Sequence, residues 1–105
     1  MTHDMTDAVA EIVSFRLNKD ANRDTFLADA QATAPLVSRV DGFISRSLSE
    51  AEDGIWTDIV FWKTMDAAKL AAETISHHPD FAPFGSAIDG PSVAMRHERV
   101  RVSMT

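Results

Sequence analysis

Cysteine and tyrosine are absent from the 105 residues, and glycine and proline occur only four times each. Without cysteine the chain has no disulfide, no thiolate nucleophile and no cysteine-ligated zinc or iron–sulfur site. Basic side chains are also scarce, with ten against sixteen acidic ones and a formal charge of -6. This charge repels phosphate backbones and anionic lipid. We therefore expect no nucleic-acid partner and no membrane partner.

Long apolar runs are missing as well, so no segment is expected to span a bilayer. Residues 1–7 lack the basic start and apolar stretch of a signal peptide, which favours a cytoplasmic location. Hydrophobic residues make up 45% and charged residues 25%, as in globular chains. The length suits one compact domain. We expect a frayed N-terminus over residues 1–7 and a single domain over residues 8–105.

Four segments have the β-branched and aromatic content of strands and end at turn-forming residues. The predicted strands are Ala8–Leu17, Phe43–Glu50, Ile55–Lys63 and Ser92–Val102. Asp53-Gly54 separates the second strand from the third and predicts a hairpin with a two-residue loop.

Two helices are predicted, one between the first and second strands and one between the third and fourth strands. Asn22 caps the first, whose apolar positions recur at helical spacing from Phe26 to Val37, and Pro35 predicts a kink or a break. Thr64 caps the second, which His78-Pro79 ends before a short segment that presents Phe81 and Phe84 inward. The inner stripe of the second helix is predicted to comprise Ala67, Leu70, Ala71, Thr74 and Ile75.

The element order is βαββαβ, which predicts an α+β, ferredoxin-like fold. In this fold, both helices cover one face of a four-stranded antiparallel sheet with strand order 4-1-3-2. Strand alternation gives both faces large apolar groups. The face under the helices is predicted to hold Val9, Val13, Phe15, Phe43, Trp56, Val60, Trp62, Val93 and Met95. The other face is predicted to hold Ile12, Ile44, Leu48, Ile55, Ile59, Phe61, Val100 and Val102.

The second apolar set needs a cover, because two helices cover only one face. A homodimer with sheet packed on sheet is the expected solution, which would make a dimeric α/β barrel. The alternative is that this face stays solvated in a monomer because of its polar side chains, which are Arg16, Arg46, Thr57, Lys63 and Arg96.

Three ionisable residues, Glu11, Asp58 and His97, share the face under the helices and could meet at mid-sheet. A two-residue hairpin loop would set Asp58 opposite Ser49 and leave volume beside large side chains. Phe15, Trp56, Trp62 and Met95 are the predicted binding residues of this pocket. An apolar cavity with a few convergent polar groups suits a small ligand, and any of the three ionisable residues could serve as a base. The alternative is a purely structural polar network.

No other sequence feature predicts a cofactor or a metal. His77 and His78 are adjacent, so on a helix they diverge and cannot chelate one ion together. Ser86 lacks the strand–turn–helix context of a nucleophile elbow, and no glycine-rich phosphate loop is present.

As a whole pattern, the chain after Asp7 resembles the antibiotic biosynthesis monooxygenase-like group of dimeric α/β-barrel proteins. The segments that carry the resemblance are Glu11–Leu17, Gly42-Phe43, Asp53–Asp58 with Trp62, Phe81–Phe84 and Ser92–His97.

The resemblance implies a homodimer with a pocket between sheet and helices in each protomer. In cofactor-independent oxygenases of this type, an electron-rich aromatic or polyketide-like substrate is deprotonated and then reduces oxygen itself. Glu11, Asp58 or His97 would be the base, and Trp56 or Trp62 would orient the ring. Heme-degrading relatives use an asparagine on the first strand, whereas Asn18 and Asn22 lie at or beyond the end of that strand. A non-catalytic binding domain and a cofactor-free isomerase or decarboxylase remain the alternatives.

Overall fold

A computed structural model describes residues 7–104 of the chain. The predicted frayed segment therefore lies outside the described residues, apart from Asp7. The strands are β1 (Val9–Phe15), β2 (Phe43–Glu50), β3 (Trp56–Trp62) and β4 (Ala94–Arg99), and the α-helices are α1 (Arg23–Ala32), α2 (Ala34–Ser38), α3 (Met65–Ile75) and α4 (Ala82–Ser86). Single 3-10 turns cover Pro79–Phe81 and Gly90–Ser92.

The sheet has the order β2-β3-β1-β4, and every neighbouring pair is antiparallel. This is the predicted order read from the other edge, so the α+β, ferredoxin-like prediction is confirmed. The first and last strands of the chain, β1 and β4, are shorter than predicted. β1 ends at Phe15, beyond which Leu17 forms an isolated bridge with Ile88, and β4 begins only after the turn at Gly90–Ser92.

The β2–β3 hairpin differs from the prediction by one residue. Ala51 pairs with Ile55, because the Ala51 amide donates to the Ile55 carbonyl at 2.8 Å, so the loop has three residues. Gly54 occupies the positive-φ position of that loop at +88°, a conformation that costs glycine little, and its amide donates to the Ala51 carbonyl. The predicted two-residue loop is therefore wrong.

The longer loop moves the register of β2 by one position. Asp58 lies opposite Leu48 instead of Ser49, and Val60 lies opposite Arg46. Because side chains alternate along a strand, the shift places Arg46 and Leu48 on the helix side and turns the β2 serines to the other face. An irregularity between Phe43 and Ser45 restores Phe43 to the helix side, opposite Trp62.

The first helix is broken in two, as Pro35 predicted. Asn22 caps α1, its side-chain oxygen accepting from the Thr25 amide at 2.9 Å. The break falls at Thr33, which ends α1 and precedes α2, and Pro35 lies in the first turn of α2, where its missing N–H costs nothing. Thr33 is completely buried at this junction.

Two apolar clusters hold the helices to the sheet. One combines Trp62 and Val60 with the alanines of α3, and the other combines Phe15 and Trp56 with α1 and α4. Thr64 caps α3 as predicted. The inner stripe of α3 is partly different, because Ala68 is buried whereas Leu70 is half exposed and Thr74 is exposed.

The face without helices carries Ile12, Ile59 and Phe61 on its two central strands, and each is half-buried in one copy of the chain. Leu48 and Arg46, which were predicted for this face, lie on the other one. Within residues 7–104, no helix has both the length and the apolar character needed to cross a bilayer.

Candidate functional site

A largely buried ion pair joins β2 and β3 at the β2 edge of the sheet. The Arg46 guanidinium donates from Nε to Asp58 Oδ1 at 3.0 Å and from Nη2 to Asp58 Oδ2 at 2.8 Å. The Arg46 side chain is 15% exposed and that of Asp58 is 12% exposed. Two parallel bonds to one carboxylate fix the plane of the guanidinium. Asp58 therefore positions Arg46, and both of its oxygens are engaged in doing so.

The helix break supplies a third contact to the same guanidinium. Arg46 Nη1 donates to Thr33 Oγ1 at 2.7 Å, and the Thr33 hydroxyl donates in turn to the Ala30 carbonyl at 2.6 Å. The Arg46 guanidinium carbon also lies 5.5 Å from the centre of the Phe84 ring, within the range of a cation–π contact. Arg46 is thus held by β3, by the α1–α2 junction and by α4.

Arg46 retains hydrogen-bonding capacity despite these contacts. A guanidinium carries five N–H donors, and the bonds to Asp58 and Thr33 use three of them. Within residues 7–104 the remaining two have no protein acceptor. A group with an acceptor oxygen could therefore bind Arg46 without displacing any partner already in place.

A partly open cleft of about 710 Å³ lies beside Arg46, between α1, α2 and β2. Its apolar lining consists of Leu27, Ala30, Ala34, Pro35, Val37, Phe43 and Leu48. Its polar lining consists of Gln31, Ser38, Arg39 and Arg46. Apolar walls with a few polar groups, at this volume, are typical of small-ligand sites. This cleft is not the predicted mid-sheet pocket, because none of the predicted lining residues borders it.

The predicted ionisable residues share one face of the sheet but do not meet as a trio, because Glu11 pairs with His97 and Asp58 pairs with Arg46. Glu11 lies opposite both Val60 and His97, and its Oε1 is 3.1 Å from His97 Nε2. Asp58 lies one row away, opposite Val13, and is paired with Arg46. The Glu11–His97 pair is partly buried, with the side chains 17% and 27% exposed. None of the trio lines the cleft.

The predicted aromatic lining is instead part of the core. Phe15, Trp56 and Trp62 are 2%, 4% and 1% exposed and fill the space in which the pocket was expected. Met95, on the edge strand β4, is 59% exposed. Trp62 Nε1 is buried without a hydrogen-bond partner among the described residues. The volume expected opposite the β2 serines is absent because those serines face the other way.

A second arginine–carboxylate pair lies at the other end of β2. Arg23 donates to both oxygens of Glu50 at 3.0 Å or less, from its Nε and Nη2 atoms. The hydrogen bond from Arg23 and its positive charge hold the pKa of the Glu50 carboxyl below its ordinary value. This pair is open to solvent, so it links α1 to β2 at the surface.

The adjacent histidines have local structural contacts. His77 Nδ1 is 3.1 Å from the Glu73 carbonyl, and His78 Nδ1 accepts from the Asp80 amide at 3.1 Å, which caps the turn that follows α3. Across residues 7–104, no three histidine or carboxylate side chains are grouped in a way that could hold a metal ion.

Sequence reasoning missed Arg46 and Arg39 as site residues. The signal available for Arg46 was its place in a strand where arginine, leucine and glutamate alternate with serines over residues 46–50. That alternation puts Arg46 and Leu48 on one face, but the loop length decides which face it is.

No protein-family model matches the sequence, and no curated protein matches it. Several solved structures, in contrast, match this chain. A candidate antibiotic biosynthesis monooxygenase from Bordetella bronchiseptica aligns over 91% of this chain and 99% of its own at 18% identity, with a TM-score of 0.76. SnoaB, a cofactor-independent oxygenase from Streptomyces nogalater, aligns over 94% and 96% at 22% identity, with a TM-score of 0.64. A candidate antibiotic biosynthesis monooxygenase from Caulobacter crescentus aligns over 93% of both chains at 13% identity, with a TM-score of 0.70.

These structures share their fold with this chain over nearly its whole length. The fold expected from the sequence resemblance, that of the antibiotic biosynthesis monooxygenase-like proteins, is therefore confirmed. A shared fold hosts many activities, so function has to be argued from the site.

Proposed function

We propose that this chain binds a small aromatic or polyketide-like molecule in the cleft between α1, α2 and β2, and oxygenates it without a cofactor. The observation that carries the proposal is Arg46, which is held rigidly by Asp58 and Thr33 and keeps two N–H donors free beside apolar walls. The fold shared with SnoaB, a cofactor-independent oxygenase, supports the choice of reaction.

The chemistry requires a substrate that becomes a reductant once it loses a proton. A hydrogen bond from Arg46 to the oxygen of a phenol or enol favours the deprotonated form, because the cationic donor stabilises the oxyanion. The resulting carbanion passes electrons to O₂ and forms a carbon–oxygen bond, and the peroxide anion then takes back the proton that the base removed, giving a hydroperoxide. Loss of water from the hydroperoxide leaves a carbonyl, so one oxygen atom enters the product and the other leaves as water.

The base for this step remains a prediction. Glu11 and His97 form a hydrogen-bonded pair of the kind that transfers protons, and they lie in one cross-strand row with Val60 and Arg46. Adjacent strands are about 4.8 Å apart, so the backbone of Glu11 is roughly 10 Å from that of Arg46 along the row. Neither Glu11 nor His97 lines the cleft, so a ligand has to span that distance to contact both Arg46 and this pair. Asp58 is a positioning residue for Arg46 in this proposal.

The test uses anthrone, an aromatic ketone whose enol form is oxidised by O₂ to anthraquinone and water. We expect the protein to increase oxygen uptake and quinone absorbance above the buffer rate. The double variant Arg46→Met/Asp58→Leu should lose the increase, whereas Arg96→Gln, which removes an exposed arginine of β4, should keep it. A fall in rate with a changed pH profile in Glu11→Gln and His97→Gln would identify that pair as the base.

A non-catalytic binding domain is the second candidate function. It is favoured because Glu11 is hydrogen-bonded to His97 and Asp58 to Arg46, and neither carboxylate lines the cleft. Binding of anthrone without extra oxygen uptake would support this candidate and contradict the oxygenase. An isomerase or decarboxylase would convert its substrate without consuming oxygen.

A homodimer in the cytoplasm completes the proposal. Ile12, Ile59 and Phe61 form the centre of the helix-free face, and sheet-on-sheet packing would remove these apolar side chains from water. A sedimentation mass of twice 11.5 kDa is expected for the dimer. The acidic, cysteine-free composition supports the cytoplasmic location.

A further inference from the structure

We infer that the ligand of the cleft is a monoanion, an aromatic molecule whose anionic oxygen group binds Arg46. The inference rests on the proposed binding function of the cleft and adds the charge of the molecule bound there. An anionic oxygen can belong to a carboxylate or to a phenolate, and both offer the acceptor that Arg46 lacks.

The charge balance of the cleft is the first step. Two arginines, Arg39 and Arg46, line the cleft, and its lining includes no carboxylate. Asp58 lies behind Arg46 and offsets one of the two positive charges. Although the chain has a formal charge of -6, the lining residues together with Asp58 carry about one positive charge. A single negative charge on the ligand balances it.

The donor geometry is the second step. The two free N–H groups of Arg46 belong to a guanidinium whose plane is fixed by Asp58, Thr33 and the Phe84 ring. An ordered donor loses little conformational entropy when it binds an acceptor. Because the Arg46 side chain is only 15% exposed, water competes weakly for its free N–H groups. Such a donor discriminates strongly between a charged and a neutral acceptor.

The third step concerns Arg39, which is the first residue after α2 and is exposed. No ion pair involves Arg39 within the described part of the chain. Its charge is therefore available to a ligand, although solvent weakens the interaction. We assign Arg39 the role of a secondary, screened attraction and Arg46 the direct contact.

The experiment measures dissociation constants by calorimetry for naphthoate and anthroate and for their neutral carboxamides. Each acid should bind about 10- to 100-fold more tightly than its amide, the ratio that charge-assisted hydrogen bonds provide. Arg39→Gln should reduce the ratio by about two- to fivefold, and Arg46→Met/Asp58→Leu should bring it close to one. Arg96→Gln changes the net charge equally and should leave the ratio unchanged.

A second arm separates the two sources of the anion. Naphthol is titrated through its own ionisation, and affinity that rises as the phenolate forms supports an anionic ligand of the phenolate type. Preference for naphthoate over naphtholate supports a carboxylate.

Equal affinity for acids and amides would overturn the inference and leave the proposed binding function standing. Preference for acids without anthrone oxidation would support the inference and exclude anthrone as a substrate, leaving the oxygenase without support. Failure of every probe to bind, together with a changed sedimentation mass in Arg39→Gln, would show that the cleft is an interface between copies of the chain and would overturn both.

Discussion

Removing one partner of the Arg46–Asp58 pair should destabilise the protein far more than removing both. Arg46→Met leaves a carboxylate whose side chain is 12% exposed, without its two hydrogen bonds, and Asp58→Leu leaves the guanidinium equally unpaired. Uncompensated charges at such sites cost about 3–5 kcal/mol, whereas replacing the whole pair by apolar side chains is often nearly neutral. The expected coupling between the two substitutions is therefore about 3 kcal/mol or more.

The measurement is a double-mutant cycle on the free energy of unfolding in urea. Unfolding is followed by far-UV circular dichroism and by the fluorescence of the two buried tryptophans at one protein concentration. In a domain of this size, 3 kcal/mol corresponds to a fall of at least about 12 °C in Tm.

The matched control is the pair Arg96 and Glu98, which has the same 2.8 Å separation but side chains that are 64% and 55% exposed. The same substitutions, Arg96→Met and Glu98→Leu, should couple by about 0–1 kcal/mol. A coupling below about 1 kcal/mol at Arg46 and Asp58, comparable to the control, would refute the argument that this pair is desolvated and fixed in place.

Two further predictions concern the backbone and the surface. Gly42 and Gly54 both have positive φ, but a Cβ at Gly42 would lie 2.6 Å from Ala67 Cβ, whereas a Cβ at Gly54 would meet only the flexible end of an arginine at 3.2 Å. Gly54→Ala should cost about 1–2 kcal/mol, and Gly42→Ala should cost clearly more; equal losses of Tm would contradict the clash. For Glu50, whose folded-state pKa lies below its ordinary value because of Arg23, the stabilisation is complete above the ordinary pKa and is lost as the pH falls through the folded pKa. Arg23→Gln should therefore flatten the acid side of the stability–pH curve in urea titrations, and an unchanged slope would argue against the pair.

The fold was predictable because its determinants are local and repeated. Asn22 and Thr64 cap their helices through single side-chain bonds, and Pro35 cannot continue a helix past the preceding turn. Leu70 was wrongly predicted to be in the core. Apolar spacing alone does not show that Leu70 is half exposed while its neighbour Ala71 is buried. The short alanines of α3 let the helix approach the sheet closely, and that distance is a tertiary property.

The site was predictable only in part, because it depends on the length of one turn. Asp53-Gly54 is compatible with a two-residue or a three-residue loop, and the sequence alone does not decide between them. The structure uses the longer loop, which brings Arg46 to Asp58. Asp58 was correctly predicted to lie on the helix side of the sheet. Arg46, which contacts both oxygens of Asp58, was wrongly predicted to lie on the other face.

The length of the hairpin loop between Ala51 and Ile55 also determines which ligands the cleft could bind. Deleting one loop residue would exchange the two faces of β2 along its whole length, carrying Arg46 out of the cleft and bringing serines into it. A single deletion, made at the surface and several residues away from the cleft, would thus replace Arg46 and Leu48 by serines in the lining without any substitution inside it. In related chains, changes in loop length therefore deserve the same scrutiny as changes among the lining residues themselves.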